Sequence, residues 1–213
     1  MEGYLTVQES STWEQVLEKS RFIGIIYPVQ VPENVETKLL EARQCYPAAR
    51  HYVYAYRLFN GRLEKASDDG EPQGTGGRPI LEVLRHRDVW NVLLVVVRYF
   101  GGILLGTGGL TRAYGGTARQ LLEQTALTYL TTYMLFTLDV PYSWYETLKH
   151  RLQFRPWFIE QEEFRETVEL RVSVPLDHEQ DFTAWLKELS AGDIMWRSEG
   201  TVWRMTAFDK GQS

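Results

Sequence analysis

The segment from Asn91 to Gln124, NVLLVVVRYFGGILLGTGGLTRAYGGTARQLLEQ, constrains the fold more than any other part of the chain. Its first part, Val92–Val97, is an unbroken run of valine and leucine, which is typical of a central strand buried on both faces. From position 110 to 122, apolar residues recur at helical spacing, and Thr107 upstream is suited to cap that helix. The segment therefore predicts a buried strand, a glycine loop and a helix in succession.

The glycine loop combines dense glycine with the start of a helix. Glycines 101, 102, 106, 108 and 109 fall within nine residues, which favours left-handed backbone or the close approach of another segment. The exposed amides of a helix N-terminus attract anions. We therefore predict a ligand or anion-binding site formed by the following residues: Arg98, Gly101, Gly102, Gly106, Gly108, Gly109, Leu110, Arg112, Gly74 and Thr75.

Two arginines supply the charge of this predicted site. Arg98 ends the apolar strand, and we expect its guanidinium group to emerge at the edge of the sheet, near the loop. Arg112 is expected in the first turn of the helix, where a cation is unfavourable unless an anion lies beside it. The alternative is that an internal carboxylate pairs with these arginines, since arginine binds phosphate and carboxylate equally well in a bidentate manner. The sequence leaves both alternatives open.

A second glycine-rich segment, Ser67–Pro79, carries an acidic cluster of Asp68, Asp69 and Glu71. Carboxylates beside glycines suit a hard cation or a general base, but Asp-Asp-Gly is also ordinary turn and capping sequence. Because no calcium-loop spacing or ligand-spaced histidine accompanies them, we expect Asp69 or Glu71 to form a salt bridge or a backbone cap, with no metal site. His51 is a further candidate contributor to this surface, and Cys45 is interpreted as a structural residue.

Composition limits the classes of function. The chain has 213 residues, of which 44% are hydrophobic, and this is enough for two modest cores. Residues 139–213 hold 9 Lys and Arg against 14 Asp and Glu, which accounts for the whole net charge of −5. Bulk charge therefore does not favour nonspecific nucleic-acid binding, although a local basic patch is compatible with it. With one cysteine and no signal-like or membrane-spanning segment, we expect a cytoplasmic protein that does not contact a membrane.

The order of predicted elements indicates an α+β protein of two domains, 1–132 and 133–213. In the first domain we predict strands at 3–9, 22–29 and 51–59, a helix from Pro32 toward Cys45, and a short helix at 80–87. The intervening segment 10–21 reads as short and polar, and 125–134 as a continuation of the helix or a linker. In the second domain, strands at 135–141, 157–164, 167–175 and 194–208 with helices at 144–154 and 176–189 give the ferredoxin-like order βαββαβ.

Long glycine-punctuated motifs resemble the IMPACT family, in particular its bacterial two-domain members of the YigZ type. These motifs are KSRFI at 19–23, ARH at 49–51, SDDGEPQGTGGRP at 67–79 and VRYFGGILLGTGGLTRAY at 97–114. The resemblance implies an N-terminal domain like that of GHMP kinases and domain IV of elongation factor G. It also implies a ferredoxin-like C-terminal domain similar to domain V of that factor.

The resemblance implies a non-enzymatic protein linked to the regulation of translation, since eukaryotic members of the family regulate translation. From this we expect nucleic-acid binding, with RNA, the ribosome or a translation factor as partner, a phosphate or nucleotide as ligand, and no cofactor. The alternative reading is an enzyme in which Asp68, Asp69 and Glu71 hold a divalent cation for phosphoryl transfer or phosphate-ester hydrolysis. The missing nucleotide-binding motif and the lack of an evident nucleophile count against that alternative. The oligomeric state does not follow from the sequence.

Overall fold

A computed structural model of the protein describes residues 3–207. By the contacts within the chain it divides into two compact units, of which the larger comprises Tyr4–Tyr129 and the smaller Leu130–Thr206. Each unit combines helices with an antiparallel sheet, so the predicted two-domain α+β class is confirmed. We call them the first and the second unit in chain order.

The elements up to the end of the first unit are six strands and three helices. They are β1 (Gly3–Val7), β2 (Ser11–Leu17), β3 (Ser20–Pro28), α1 (Pro32–Cys45), β4 (His51–Leu58), β5 (Leu63–Ser67), α2 (Gly77–His86), β6 (Val92–Tyr99) and α3 (Gly106–Gln124). Five strands form one sheet in the order β2-β3-β6-β4-β5, and every pairing in it is antiparallel.

Strand β6 lies at the centre of this sheet, and helices cover both of its faces. Val92, Leu94 and Val96 point into the core formed with α2 and α3. Leu93, Val95 and Val97 point into the opposite core, under α1. All six side chains are fully buried, which explains why the strand is apolar without alternation and confirms its prediction.

Two strands of this sheet were not predicted. β2 lies within the segment read as short and polar, and β5 lies just before the glycine-rich segment, where no strand is predicted. Both are edge strands of mixed polar sequence. In β2 only alternate residues are partly covered, and Gln15 reaches α3 by donating a hydrogen bond to Thr117 Oγ1 at 2.7 Å. The α3 helix therefore holds β2 through a polar contact that has no hydrophobic signature in the sequence.

Helix α3 packs on the sheet through Leu110, Ala113, Ala118 and Leu121, as its spacing predicts. Its closest approach is at Gly24 of β3, where an added Cβ would lie 3.0 Å from Thr117 Cγ2 and 3.2 Å from Leu121 Cδ2. Two glycines within a helix, Gly115 and Gly116, predict a close approach to the sheet at one of them, and this prediction is wrong. A Cβ on either would meet only ordinary contacts, with Pro79 at 3.5 Å or Gln15 at 3.8 Å.

The second unit has the predicted βαββαβ order. Its elements are β7 (Leu127–Val140), α4 (Tyr142–Leu152), β8 (Phe158–Phe164), β9 (Val168–Pro175), α5 (Glu179–Ser190) and β10 (Met195–Ala207), and β7 begins before the boundary between the units. The strands are ordered β10-β7-β9-β8, which is the ferredoxin-like arrangement. The segment after α3 becomes β7 from Leu127 and does not continue the helix. Phe208, the last residue of the predicted final strand, lies outside the described residues.

Candidate functional site

The acidic segment after β5 is held in place by its own carboxylates, beginning with Asp68. The backbone N–H groups of Gly74, Gly76 and Gly77 donate hydrogen bonds to its two oxygens at 2.8, 2.9 and 2.9 Å. Burial alone would raise the pKa of Asp68, but the three donors outweigh it and the pKa lies below its ordinary value. Since α2 begins at Gly77, Asp68 caps this helix from a distance of nine residues.

Asp69 connects the same segment to β4 and α1. Its Oδ2 accepts a hydrogen bond from the backbone N–H of Tyr52 at 2.7 Å, and its Oδ1 pairs with Arg43 at 3.1 Å. The Nδ1 of His51 lies 2.8 Å from the carbonyl oxygen of Asp69, so the His51 side chain, 12% exposed, serves the internal structure. The predicted salt bridge or backbone cap at Asp69 or Glu71 is therefore present at Asp69.

Glu71 makes the third connection, and it is buried. Its Oε1 accepts hydrogen bonds from Arg98 Nη1 at 2.6 Å and from the hydroxyl of Tyr114 at 2.7 Å. The side chains of Arg98 and Glu71 are 6% and 4% exposed. Arg98 therefore does not emerge at the sheet edge as expected, and its partner is an internal carboxylate. Burial, and then the hydrogen bond to Glu71, raise the pKa of Tyr114.

The predicted glycine loop is shorter than expected, because α3 already begins at Gly106. Thr107 lies inside the helix, so it is not the cap, and Arg112 lies beyond the first turn. Gly101 is needed for packing, since an added Cβ would lie 2.0 Å from the carbonyl carbon of Lys19. The guanidinium group of Arg112 folds back along the helix, with its Nη1 3.6 Å from the position of a Cβ on Gly108. A positive charge thus lies beside the start of α3.

Helices α2 and α3 border a groove of about 1010 Å³, which we call the basic groove. The α2 side contributes Arg78, Pro79, Glu82, Val83, His86 and Arg87, with Gly74 before the helix, and the α3 side contributes Thr111, Arg112, Gly115, Gly116, Arg119 and Glu123. These positions recur every three to four residues, so one face of each helix borders the groove. The small side chains at 111, 115 and 116 leave the space between the helices open.

Four arginines give the basic groove its charge. Arg78, Arg87, Arg112 and Arg119 are exposed, and within residues 3–207 none of their guanidinium groups forms an ion pair or hydrogen bond. The two carboxylates that line the groove already have a partner, because Glu82 pairs with Arg85 at 3.0 Å and Glu123 accepts a hydrogen bond from Gln120 at 3.0 Å. As far as residues 3–207 show, the groove therefore presents four arginines whose guanidinium groups have no partner within the protein.

Some of the predicted site residues lie in this groove and others do not. Gly74 and Arg112 line it, whereas Thr75 and Leu110, like Arg98, are buried. Gly109 borders a smaller adjoining pocket of about 380 Å³ that shares Arg112 and Arg119 with the groove. Gly102 and Gly106 are exposed and have positive φ angles of 85° and 65°.

Three of the four arginines were not predicted as site residues. Arg112 and Arg119 are seven residues apart, which is two helical turns, so their common face could have been read from the sequence. The pairing of that face with Arg78 and Arg87 depends on how the two helices pack.

The carboxylates do not assemble into a metal centre. Within the described part of the chain, no group of three or more His, Cys, Asp or Glu side chains is arranged to hold a metal ion. Asp68, Asp69 and Glu71 point to different partners, as their separate hydrogen bonds require. Nor is any helix between residues 3 and 207 long and apolar enough to cross a membrane.

Several charged side chains on the sheet of the second unit are already paired. Glu199 of β10 accepts a hydrogen bond from Thr137 at 2.6 Å and pairs with Arg171 of β9. Glu160 of β8 pairs with Arg204 of β10. These ion pairs connect β10 to strands of the same sheet that are not its direct neighbours, and they leave Arg171 and Arg204 already paired, unlike the arginines of the basic groove.

Comparison with known proteins places these features in a family. A family profile described as "Impact N-terminal domain" matches residues 18–122, and one described as "Domain of unknown function (DUF1949)" matches residues 138–193. The chain is similar to IMPACT family member YvyE of Bacillus subtilis, with 33% identity over 90% of this chain and 89% of that one. It is also similar to IMPACT family member YigZ of Escherichia coli, with 34% identity over 91% and 97%. A solved structure described as "Crystal structure of an hypothetical protein" has 32% identity and a TM-score of 0.60, covering 99% of each chain.

Proposed function

This chain belongs to the IMPACT family, and from that premise we propose that it is a non-enzymatic, translation-linked protein that binds RNA through the basic groove. The family is linked to the regulation of translation in eukaryotes. In this proposal the phosphate groups of RNA, free or within the ribosome, lie between α2 and α3. Translation takes place in the cytoplasm, so we propose that the protein works there.

The observation that supports this proposal is the set of four unpaired arginines around one groove. Guanidinium groups bind phosphate through pairs of parallel hydrogen bonds. Among residues 3–207, no carboxylate pairs with Arg78, Arg87, Arg112 or Arg119. The chain as a whole carries a charge of −5, so RNA would be attracted to this local surface and repelled elsewhere. Binding should then depend on few contacts and be sensitive to salt.

The acidic cluster does not favour the enzymatic alternative. A catalytic carboxylate must be able to reach a substrate or a cation, whereas Asp68 accepts three backbone hydrogen bonds and Glu71 is buried against Arg98. Using either of them in catalysis would require breaking contacts that hold the segment between β5 and α2. No described feature favours phosphoryl transfer over binding.

The proposal is tested by fluorescence anisotropy with a labelled hairpin RNA at about 50 and 200 mM salt. Arg112→Gln and Arg119→Gln should each weaken binding, and each should reduce the slope of log K against log salt by about 0.7–0.9. Arg21→Gln is the matched control, because Arg21 is an exposed arginine of the same unit, is paired with Glu14, and neither residue lines the groove.

Two results would contradict the proposal. One is that the wild-type protein does not bind the hairpin at low salt. The other is that the two groove variants bind as well as the control variant. If an acidic peptide binds in the groove and RNA does not, the partner is a protein.

A further inference from the structure

We infer that the basic groove binds double-stranded RNA by contacting the minor groove of the RNA duplex. This inference rests on the proposed function and names the class of RNA that the site takes. A-form RNA has a wide, shallow minor groove that displays ribose 2′-hydroxyls and is bordered by two phosphate backbones. Three properties of the basic groove, as formed by residues 3–207, match that pattern: arginines on both helices, a lining without Phe, Tyr or Trp, and carboxylates beside the arginines.

The arginines form two sets, one on each helix. Arg112 and Arg119 are seven residues apart on α3, which corresponds to about 10 Å along the helix axis. Arg78 and Arg87 are nine residues apart on α2 and its C-terminal cap, which corresponds to about 13 Å along the axis and about two and a half turns. They therefore lie at the two edges of the helix face that borders the groove. The two sets lie on opposite sides of one groove. A single RNA strand has one phosphate backbone and would engage the arginines of one helix. A duplex has two backbones, so it presents one to the arginines of each helix.

Among residues 3–207, the groove has none of the large aromatic side chains on which unpaired bases most often stack. Proteins that hold single-stranded RNA stack its bases on aromatic rings. No Phe, Tyr or Trp of the described chain lines the groove, and its one imidazole, His86, lies at the C-terminal end of α2. Between the helices the surface is made instead by residues such as Thr111, Gly115 and Gly116. Such a surface allows close approach of a backbone but offers no platform for a base.

Two carboxylates in the groove distinguish sugar from phosphate. Glu82 lies on α2 between the two arginines of that helix, and Glu123 lies one turn beyond Arg119 on α3. Each would repel a phosphate placed directly against it. Glu82 uses Oε1 for Arg85, and Glu123 uses Oε2 for Gln120. The second oxygen of each is left to accept a hydrogen bond, and a 2′-hydroxyl can donate one. Since DNA has no 2′-hydroxyl, these two residues would make the groove selective for RNA.

The test compares three ligands of one sequence: an RNA duplex of about 16 base pairs, the DNA duplex, and the single RNA strand. We expect the RNA duplex to bind about tenfold more tightly than either of the others. The double substitution Glu82→Ala/Glu123→Ala should raise the affinity for DNA by removing repulsion, and should bring the RNA-to-DNA ratio to within about threefold. Glu36→Ala is the control, since Glu36 is exposed on α1, which packs on the other face of the sheet.

The possible failures of this inference and of the proposed function can be told apart. If the single strand binds as tightly as the RNA duplex, the duplex inference is overturned while RNA binding stands. If the double variant binds RNA and DNA more tightly by the same factor, the carboxylates act only through charge and do not recognise the 2′-hydroxyl. If no nucleic acid binds, the proposed function fails together with the inference.

Discussion

Replacing Glu71 by glutamine tests whether the buried pair with Arg98 holds the segment that leads into the basic groove. The substitution keeps the shape of the side chain but removes its charge. Arg98 would then remain buried with no carboxylate, and its Nε already lacks a hydrogen-bond partner within the described chain. The cost of an uncompensated buried charge is the largest effect that a single isosteric change can produce at this site.

The expected magnitude follows from the burial of the two groups. Removing one partner of a buried ion pair destabilises a protein by about 3–5 kcal/mol. The lower end applies here, because the amide oxygen of glutamine can still accept hydrogen bonds from Arg98 and from the hydroxyl of Tyr114. We therefore expect a loss of about 3 kcal/mol in the free energy of unfolding of the first unit. With a denaturant slope of about 1–3 kcal/mol/M, the urea midpoint falls by about 1 M or more.

The measurement is hydrogen exchange of the β6 amides at increasing urea concentration, because this reports on the first unit even if the two units unfold separately. Glu82→Gln is the matched control. Glu82 and Arg85 are 54% and 45% exposed, so losing their pair should cost at most about 0.5 kcal/mol. If Glu71→Gln shifts the midpoint no more than Glu82→Gln does, the buried pair does not hold the segment and the reasoning is refuted.

Two further predictions concern glycine packing and acid stability. Gly101→Ala should lower the free energy of unfolding by about 3 kcal/mol or more, because the new methyl group would overlap the backbone of Lys19. Gly116→Ala should leave it unchanged or raise it by up to about 1 kcal/mol, because the position has room for a methyl group and alanine favours a helix. Equal urea midpoints for the two variants would contradict this assignment. The pKa of Asp68 is lowered on folding, so its stabilising contribution should be present above its unfolded pKa of about 3.9 and be lost as pH falls through the folded pKa. Asp68→Asn should therefore make the stability of the first unit less dependent on pH below about pH 4. The measurement is urea unfolding across that pH range, and the same pH dependence in the variant and the wild type would disprove the prediction.

The elements with a strong local pattern were predictable from the sequence. Every side chain of Val92–Val97 is apolar, so both faces of this strand are expected to be covered. The helix over Pro32–Cys45 follows from the proline in its first turn and from its apolar face. The two edge strands β2 and β5 were missed, since a strand that is covered on part of one face needs little apolar sequence.

The group that pairs with Arg98 could not be identified from the sequence. The chain offers Asp68, Asp69 and Glu71 as partners, with an external anion as a fourth, and their local sequence does not separate them. Burial decides between them, because a guanidinium group enclosed at the end of β6 requires a carboxylate that is enclosed with it. Only Glu71 reaches that position, while Asp68 turns toward the start of α2.

The two-domain α+β class, the central strand and the two glycine-rich segments could be recognised from the sequence alone. The tertiary structure decided which charges remain unpaired. Arg78 and Arg87 are more than twenty residues from Arg112 and Arg119, and only the packing of α2 against α3 brings them to one groove. The physical reason is that local pattern sets which face of a helix is polar, whereas the choice of a charged partner depends on contacts between segments distant in the chain.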